Sequence, residues 1–492
     1  MLTLIILLPL LAAVGILLGA PARKTAFSAS IAMFALTLLT FLSYDRTKDV
    51  FQFQSTTPIV SDWGLNYAVG ADGLSVLLLL LTGIVTLAAV WVTPTVAKRE
   101  NIYYACLLFI SAGAAGAFAA TDLFFLYAFH ELALIPTFLL IGVWGSGERQ
   151  AAAWKITIYL GLGSFILLIG LVDLYLAIPE ASRTFDLIEL QRLAAQPGGL
   201  IPAAAQSRPY IFLLVGFGIL ISLFPFHSWA PPAYASAPTP AAMLHAGVLK
   251  KFGLYGLIRI ALPLLPDGAK EWTWLLLILL VGNIIYIGLV TIAQKRLDFL
   301  LGYSSVMHMG YIFLGIAAFN VIGVSGAALL MFAHGLSIAA LFAMCGVLRE
   351  KNPTLALDSF GGLAKPMPWL AFAFGLAAFA SIGLPGFANF ASEMTIFFGA
   401  FKPAAGLNTS HFYLATIFAL WGVVISAVYM LRAYRAIFMG PLGKDAVNWT
   451  DPDKKAFRWP VILLLALLLI AGFAPGAFLS YIRPSVEALL PK

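Results

Sequence analysis

Glu131, Glu393, Lys250, Lys251, His227, His245, His308 and His334 stand inside or beside long apolar runs, where a charge has no obvious place. An ionised side chain at the centre of a bilayer costs about 2.5–3.5 kcal/mol on insertion scales, so each such group needs a partner or a purpose. Glu131 follows His130 within the apolar run 123–135. At 1.5 Å per residue it lies roughly 14 Å from the start of its helix, near mid-membrane. Burial raises a carboxyl's pKa and a nearby lysine lowers it, and the balance poises such a group for proton exchange. A static ion pair is the plainer reading of the same residues. Lys250 and Lys251 point about 100° apart on a helix, so only one faces a given interior path. The other snorkels or pairs with a neighbour, and spacing alone does not say which. Glu393 stands alone among apolar residues. Lys155 opens an apolar run and reads either as a path member or as an interfacial anchor. A histidine titrates at about 6.5 and relays protons near neutrality, although a lone one is more often a hydrogen-bonded packing residue. Together these groups form a polar axis suited to passing protons.

The elements that position them are membrane helices. Of 492 residues 61% are hydrophobic and only 10% charged, with a mean hydropathy of +0.96. A soluble domain carries about 25% charged residues, so the solvent this chain fits is a bilayer. A crossing needs about 20 apolar residues. On that measure about fourteen crossings are expected, centred near 11, 35, 82, 111, 132, 166, 217, 250, 283, 309, 336, 385, 424 and 471. The longest polar stretches (44–71, 179–208, 348–366 and 439–458) are too short for a soluble domain, so residues 1–492 read as one membrane domain. Met1–Ala20 lacks a basic leader and reads as a first crossing rather than a signal peptide.

Lys and Arg are unevenly shared between the two sides. Loops after odd-numbered crossings hold sixteen, from Arg23 to Arg458; the other side holds nine, from Arg46 to Lys492. That bias predicts odd loops in the cytoplasm and both termini on the outer face. Two crossings are interrupted by proline, the seventh at Phe224-Pro225-Phe226-His227 and the twelfth at Gly383-Leu384-Pro385-Gly386. Unwound backbone at membrane depth must face protein or a wet cavity. Two broken helices five crossings apart point to inverted five-helix repeats with a site at the midplane. The repeats are expected at about 102–262 and 272–438, flanked by helices 1–3 and 14. Cys106 and Cys345 stand alone, without CxxC or clustered Cys/His, so metal and iron–sulfur ligand sets are lacking. The His residues do not share metal-pair spacing. Nor does a nucleophile–base set or a nucleotide-binding glycine pattern occur.

Several stretches carry a family resemblance. Glu131-Leu132-Ala133-Leu134-Ile135-Pro136 runs on to Trp144-Gly145, and Ala153-Trp154-Lys155 follows. Pro225-Phe226-His227-Ser228-Trp229, Ala237-Pro238-Thr239, Tyr303-Ser304-Ser305 through His308-Met309-Gly310, and Gly383-Leu384-Pro385-Gly386 complete the set. From about Gly70 to Gly440 the chain resembles the antiporter-like subunits of respiratory complex I, most closely the M-type. The resemblance implies an all-α polytopic protein of a bacterial inner membrane, a non-redox subunit of an NADH:quinone oxidoreductase that translocates protons. It implies flavin, iron–sulfur clusters and quinone in partner subunits, with none in this chain. The implied partners are L-type and N-type membrane subunits, the peripheral redox arm and lipid, without nucleic acid. Glu131 looks like the family's span-five glutamate, Lys251 the central span-eight lysine, Glu393 the span-twelve acid, and His308 and His334 relay histidines. One departure stands out: the family's seventh-span lysine is Leu220 here, and residues 209–249 contain no lysine. Met243-Leu244-His245-Ala246 looks more like the L-type and cation-antiporter subunits. Lys250 or His245 is therefore expected to supply the missing positive charge. The alternatives are a subunit of a multisubunit Na⁺/H⁺ antiporter, of a membrane-bound hydrogenase, or of a CO₂-hydrating variant complex.

Overall fold

Only a helix satisfies every backbone N–H and C=O within one segment, and in lipid that requirement leaves the long apolar runs no other choice. A computed structural model describes every residue except 49, 61–63, 97, 444–445, 453 and 491–492. Helices α1 (Leu2–Leu17) and α2 (Ala22–Ser43) precede a hairpin of β1 (Gln52–Val60) and β2 (Leu65–Ala71). Then come α3 (Gly73–Trp91), α4 (Glu100–Ala119), α5 (Leu123–Trp144), α6 (Arg149–Ala177), the short α7 (Leu187–Ala194), α8 (Ala203–Ile221) and α9 (Ala230–Ser236). The eighth apolar run is a continuous stretch of short pieces: α10 (Thr239–Leu244), a π turn at His245–Leu249, α11 (Lys251–Gly256), a second π turn at Leu257–Ala261, and α12 (Leu262–Leu264). After α13 (Pro266–Glu271), α14 (Thr273–Val281) and α15 (Ile287–Ala293) are joined through a π turn. The chain ends with α16 (Leu297–Ala317), α17 (Val321–Lys351), α18 (Pro368–Ile382), α19 (Ala388–Ala400), α20 (Thr409–Phe438), α21 (Trp459–Phe473) and α22 (Pro475–Leu489).

Among the described residues eleven helices are long and apolar enough to cross a membrane. The expected figure of about fourteen requires α1, the 239–264 stretch and the α18–α19 pair to cross as well. Two cations counted for orientation, Lys444 and Lys492, lie outside the described residues. The helices sort into layers. α3, α16 and α17 are buried along almost their whole length. α5, α6 and α20 turn Ile135, Trp154, Ile158, Trp421 and Val424 outward, an apolar face suited to lipid or to neighbouring subunits.

Both expected breaks are present, and in each the first half-helix ends in a left-handed residue. α8 stops at Ser222 (φ +66°) and α18 at Gly383 (φ +82°). Only glycine adopts that conformation freely, so the serine is the less expected of the two. Protein groups satisfy much of the first break. Phe224 N–H donates to Asn283 Oδ1 at 2.6 Å, and Asn283 Nδ2 donates to Val306 O at 2.9 Å and Ser222 O at 3.2 Å. The second break is covered by α21, whose Gly472 lies directly against the backbone of Gly386 and Phe387.

The polar stretch 44–71 folds further than its composition suggested. β1 and β2 pair antiparallel, from Gln52 opposite Ala71 to Val60 opposite Leu65. Ser55-Thr56-Thr57-Pro58-Ile59-Val60, rich in β-branched residues, is the signal that marks it. The hairpin leads into Asp72, which caps α3 by accepting from Ser75 N–H at 2.8 Å. The same carboxylate oxygen accepts from Arg259 Nη2 at 2.6 Å, and both side chains are buried. Arg259 Nε also donates to the Tyr255 hydroxyl at 3.2 Å. This pair ties the hairpin to the lysine-bearing helix. Removing one member of a buried pair typically costs about 3–5 kcal/mol, because the other charge is left uncompensated. Arg259→Met is therefore expected to lower the melting temperature markedly, and Asp72→Asn added to it to recover part of the loss. Thermal unfolding of the detergent-purified protein checks both.

Candidate functional site

Asp122 starts the helix that carries the first carboxylate. It caps α5 by accepting from the backbone N–H groups of Phe124 and Phe125, at 2.9 and 3.1 Å. Burial pushes its carboxyl up to about 6. Two and a half turns on, Glu131 sits on the α6 side of α5. His130 Nδ1 lies 3.3 Å from Glu131 Oε1, and the Ser164 hydroxyl on α6 donates to the same oxygen. Ser164 Oγ is also 3.2 Å from the Tyr127 hydroxyl. The Glu131 side chain is 35% exposed and opens onto a cleft of about 320 Å³ lined by Leu134, Ile135, Phe138, Thr157 and Leu160.

Lys250 and Lys251 both point inward, and neither snorkels. Lys251 is wholly buried, with Nζ 2.6 Å from Ala246 O and 3.0 Å from His334 Nδ1. Lys250 is equally enclosed, with Nζ 3.4 Å from Ser305 O and 5.7 Å from the centre of the Tyr234 ring. Among the described residues neither lysine forms an ion pair with a carboxylate. The π turn at His245–Leu249 lies immediately before both of them. Such turns are rare and concentrate at functional sites.

His308 and His334 stand together, their ring centres 5.5 Å apart. His308 Nδ1 faces Ser304 O at 2.7 Å, and Nε2 faces Ser381 O at 2.8 Å. A neutral imidazole has a single N–H, so both carbonyls are satisfied at once only by a doubly protonated ring. His334 and Lys251 continue this cluster inward. Glu393 is 3% exposed and leans against Gly383 at the second break. Its Oε1 has no hydrogen-bond partner among the described residues.

The remaining expected residues are less central. His245 lies between Trp229 and Tyr234, with Nδ1 3.4 Å from the Tyr234 hydroxyl, and so shares that tyrosine with Lys250. His227 is in the first break, stacked on Phe224, with Nδ1 unpartnered. Lys155 is half-buried at the start of α6. The structure thus brings Lys251, His334 and His308 into one cluster, and links Lys250 to His245 through Tyr234. Glu131 is held apart from both sets. Neither Lys250 nor His245 pairs with Glu131; His130 and Ser164 are its partners instead. His130 stacks on Phe252, beside Lys251, with ring centres 4.1 Å apart. The sequence carried no signal for Ser164, since serines in apolar helices usually bond to their own backbone. Leu220 packs against Gly163, next to Ser164.

The comparisons with known proteins bear on this arrangement. The family profile described as "NADH:quinone oxidoreductase/Mrp antiporter, TM" matches residues 120–423, which include both breaks and every clustered residue. The chain belongs to this family. NADH-quinone oxidoreductase subunit M of Rickettsia felis is 34% identical over 502 residues, covering 99% of this chain and 98% of that one. NAD(P)H-quinone oxidoreductase chain 4-2 of Synechocystis is 38% identical over 448 residues, covering 89% and 78%. A chain in the structure of respiratory complex I from Thermus thermophilus with bound NADH superposes with a TM-score of 0.89 at 29% identity, covering 100% and 99%. The Mrp complex from Dietzia shares the fold, with a TM-score of 0.83 at 22% identity, covering 99% and 97%.

The geometry around Leu220 yields a direct test. Leu220→Lys is expected to be tolerated while Glu131 is present to pair with it. Once Glu131 is replaced by Gln, the same lysine should destabilise the protein by about 3–5 kcal/mol. Melting temperatures of the four proteins in that double-mutant cycle measure the coupling.

Proposed function

We propose that this chain is a proton-translocating subunit of a complex I-type NADH:quinone oxidoreductase. Family membership and the M-type relatives support its place as an antiporter-like membrane subunit of that complex. The observation that carries the proton reading is Lys251, buried without a counter-ion and in contact with a histidine. A permanently charged ammonium there would be costly, whereas one that gives up and regains its proton fits the surroundings. Glu131 takes the input. When the contacts of Glu131 with His130 and Ser164 change, the field across Phe252 changes how tightly Lys251 holds its proton, because Coulomb forces are strong at low dielectric. The proton then moves through His334 and His308 toward Glu393. Lys250 and His245 form a side branch through Tyr234, His227 lines the first break, and Lys155 sits at the approach to α6.

The wider reading follows the same logic. The two broken helices, each ending its first half in a left-handed residue, support inverted repeats over about 102–262 and 272–438. The charge bias supports odd loops in the cytoplasm and both termini on the outer face of a bacterial inner membrane. Redox chemistry belongs to the peripheral arm, with flavin, iron–sulfur clusters and quinone held by partner subunits. L-type and N-type subunits would flank this one.

Two measurements test the proposal. The tagged complex purified from native membranes should show flavin absorbance, iron–sulfur signals and NADH:quinone activity; an assembly devoid of redox centres would point to the Na⁺/H⁺ antiporter instead. In proteoliposomes, Glu131→Gln, Lys251→Met and Glu393→Gln should each reduce NADH-driven proton uptake by about a hundredfold, the lower end of a positioned proton-transfer group's contribution. Unchanged pumping in all three would reduce the chain to a scaffold.

A further inference from the structure

Asn389 has no role in the route as described, yet its setting is unusual. It is wholly buried, and neither its amide oxygen nor its amide nitrogen has a hydrogen-bond partner among the described residues. An asparagine near a helix start ordinarily bonds to local backbone. Asn389 is the second residue of α19, and that helix has no side-chain cap. Leaving such groups without a partner is costly, and buried polar groups are nearly always bonded to protein or to ordered water.

Packing fixes what lies around it. α17 runs antiparallel to α19, with Gly326 against Ile396 and Gly323 against Gly399. Two turns back along α19, from Ile396 to Asn389, match two turns forward along α17, from Gly326 to Ala333, beside His334. α16 runs parallel to α19, with Gly315 against Ile396, and the same step back from Gly315 arrives at His308. Asn389 and Ile396, seven residues apart, share one helix face, and that face meets both α16 and α17. Asn389 is thus level with the His308–His334 pair. One turn further along the same face is Glu393. His334 Nε2, Glu393 Oε1 and the Tyr311 hydroxyl are likewise buried with no partner among the described residues. A buried water needs two to four polar partners, and the region offers that many.

We propose that Asn389 is a positioning residue of the proton route, its amide holding the water that joins the His308–His334 pair to Glu393. The inference rests on the proton reading above. It accounts for the step to Glu393, which no direct contact spans: His334 and Glu393 each present an atom without a partner among the described residues, and the amide stands level with the histidines, one turn from Glu393. An amide suits the place because it donates and accepts at once without carrying charge.

The test uses the whole complex in proteoliposomes, with NADH oxidation and proton uptake recorded in the same vesicles. Asn389→Leu keeps the branched heavy-atom outline and removes the hydrogen bonds. Proton uptake should fall about tenfold, the equivalent of one lost hydrogen bond along the path, while the assembled complex melts no lower than the wild type. Asn389→Thr and Asn389→Val have the same shape and differ by one hydroxyl; Thr should retain most of the pumping and Val should lose it. This second pair decides the matter should the leucine variant fail to assemble. Wild-type pumping by the leucine or valine variant, or equal loss in Thr and Val with normal assembly, overturns the proposal. Glu393→Gln run alongside separates the two readings. If it pumps normally, the route itself is wrong; if it fails while Asn389→Leu pumps, only the role of Asn389 is.

Discussion

An ammonium group taken out of water loses hydration that only an opposite charge or a well-placed set of acceptors restores. Lys251 has no opposite charge, only a backbone carbonyl and a histidine nitrogen, and much of the fold can be understood from that one deficit. α17 brings His334 to the lysine, and α4 and α8 pack against the short helix that begins with it. The π turn before it alters the helix where Ala246 O meets Nζ. Two histidines stand where a fixed cation would have wanted a carboxylate. A structural lysine would have been given an acid, as Arg259 was given Asp72. These two buried cations, about two turns apart on the same run of helix, differ in that one is paired with an acid and the other is not among the described residues.

The two carboxylates are treated differently in turn. Glu131 opens onto a lipid-depth cleft on the outer surface of α5 and α6 and keeps polar company in His130, Ser164 and Tyr127. Glu393 is sealed inside, against a glycine at the break of its helix. One is placed to feel what lies beside the subunit, the other to exchange with what lies within it. Leu220 belongs to this asymmetry. With an alkyl group where a cation is expected, Glu131 relies on hydrogen bonds and a titratable ring, so its environment can change without breaking a fixed ion pair.

Much of this was legible in the sequence, for physical reasons. Apolar length specifies a crossing, proline specifies a break, and a charge in an apolar run is too expensive to be incidental, so the helices, both breaks and the intramembrane charges at Glu131, Lys250, Lys251 and Glu393 could be noticed from residue types alone, whereas the choice of Lys251 over Lys250 came only from the family resemblance. What could not be read depends on rotation and contact between distant helices. Adjacent lysines look as though one must face outward, yet the π turn and the surrounding layers enclose both. Ser164 and Asn389 are ordinary residues in their own helices and matter only because of what faces them. The hairpin was hidden by its polarity, which masked a run rich in β-branched residues. The partner of Glu131 was sought among distant cations, whereas its contacts are with the neighbouring His130 and with Ser164 on the next helix.

The contact of Gly472 with Gly386 and Phe387 has a consequence for how the protein is made. The unwound backbone between α18 and α19 is covered by a helix that starts some seventy residues later in the chain. A chain still being synthesised therefore carries an exposed discontinuity beside Glu393 until α21 has been inserted and docked. A subunit whose synthesis stops before α21 therefore has its buried acid but not the helix that covers the adjoining backbone.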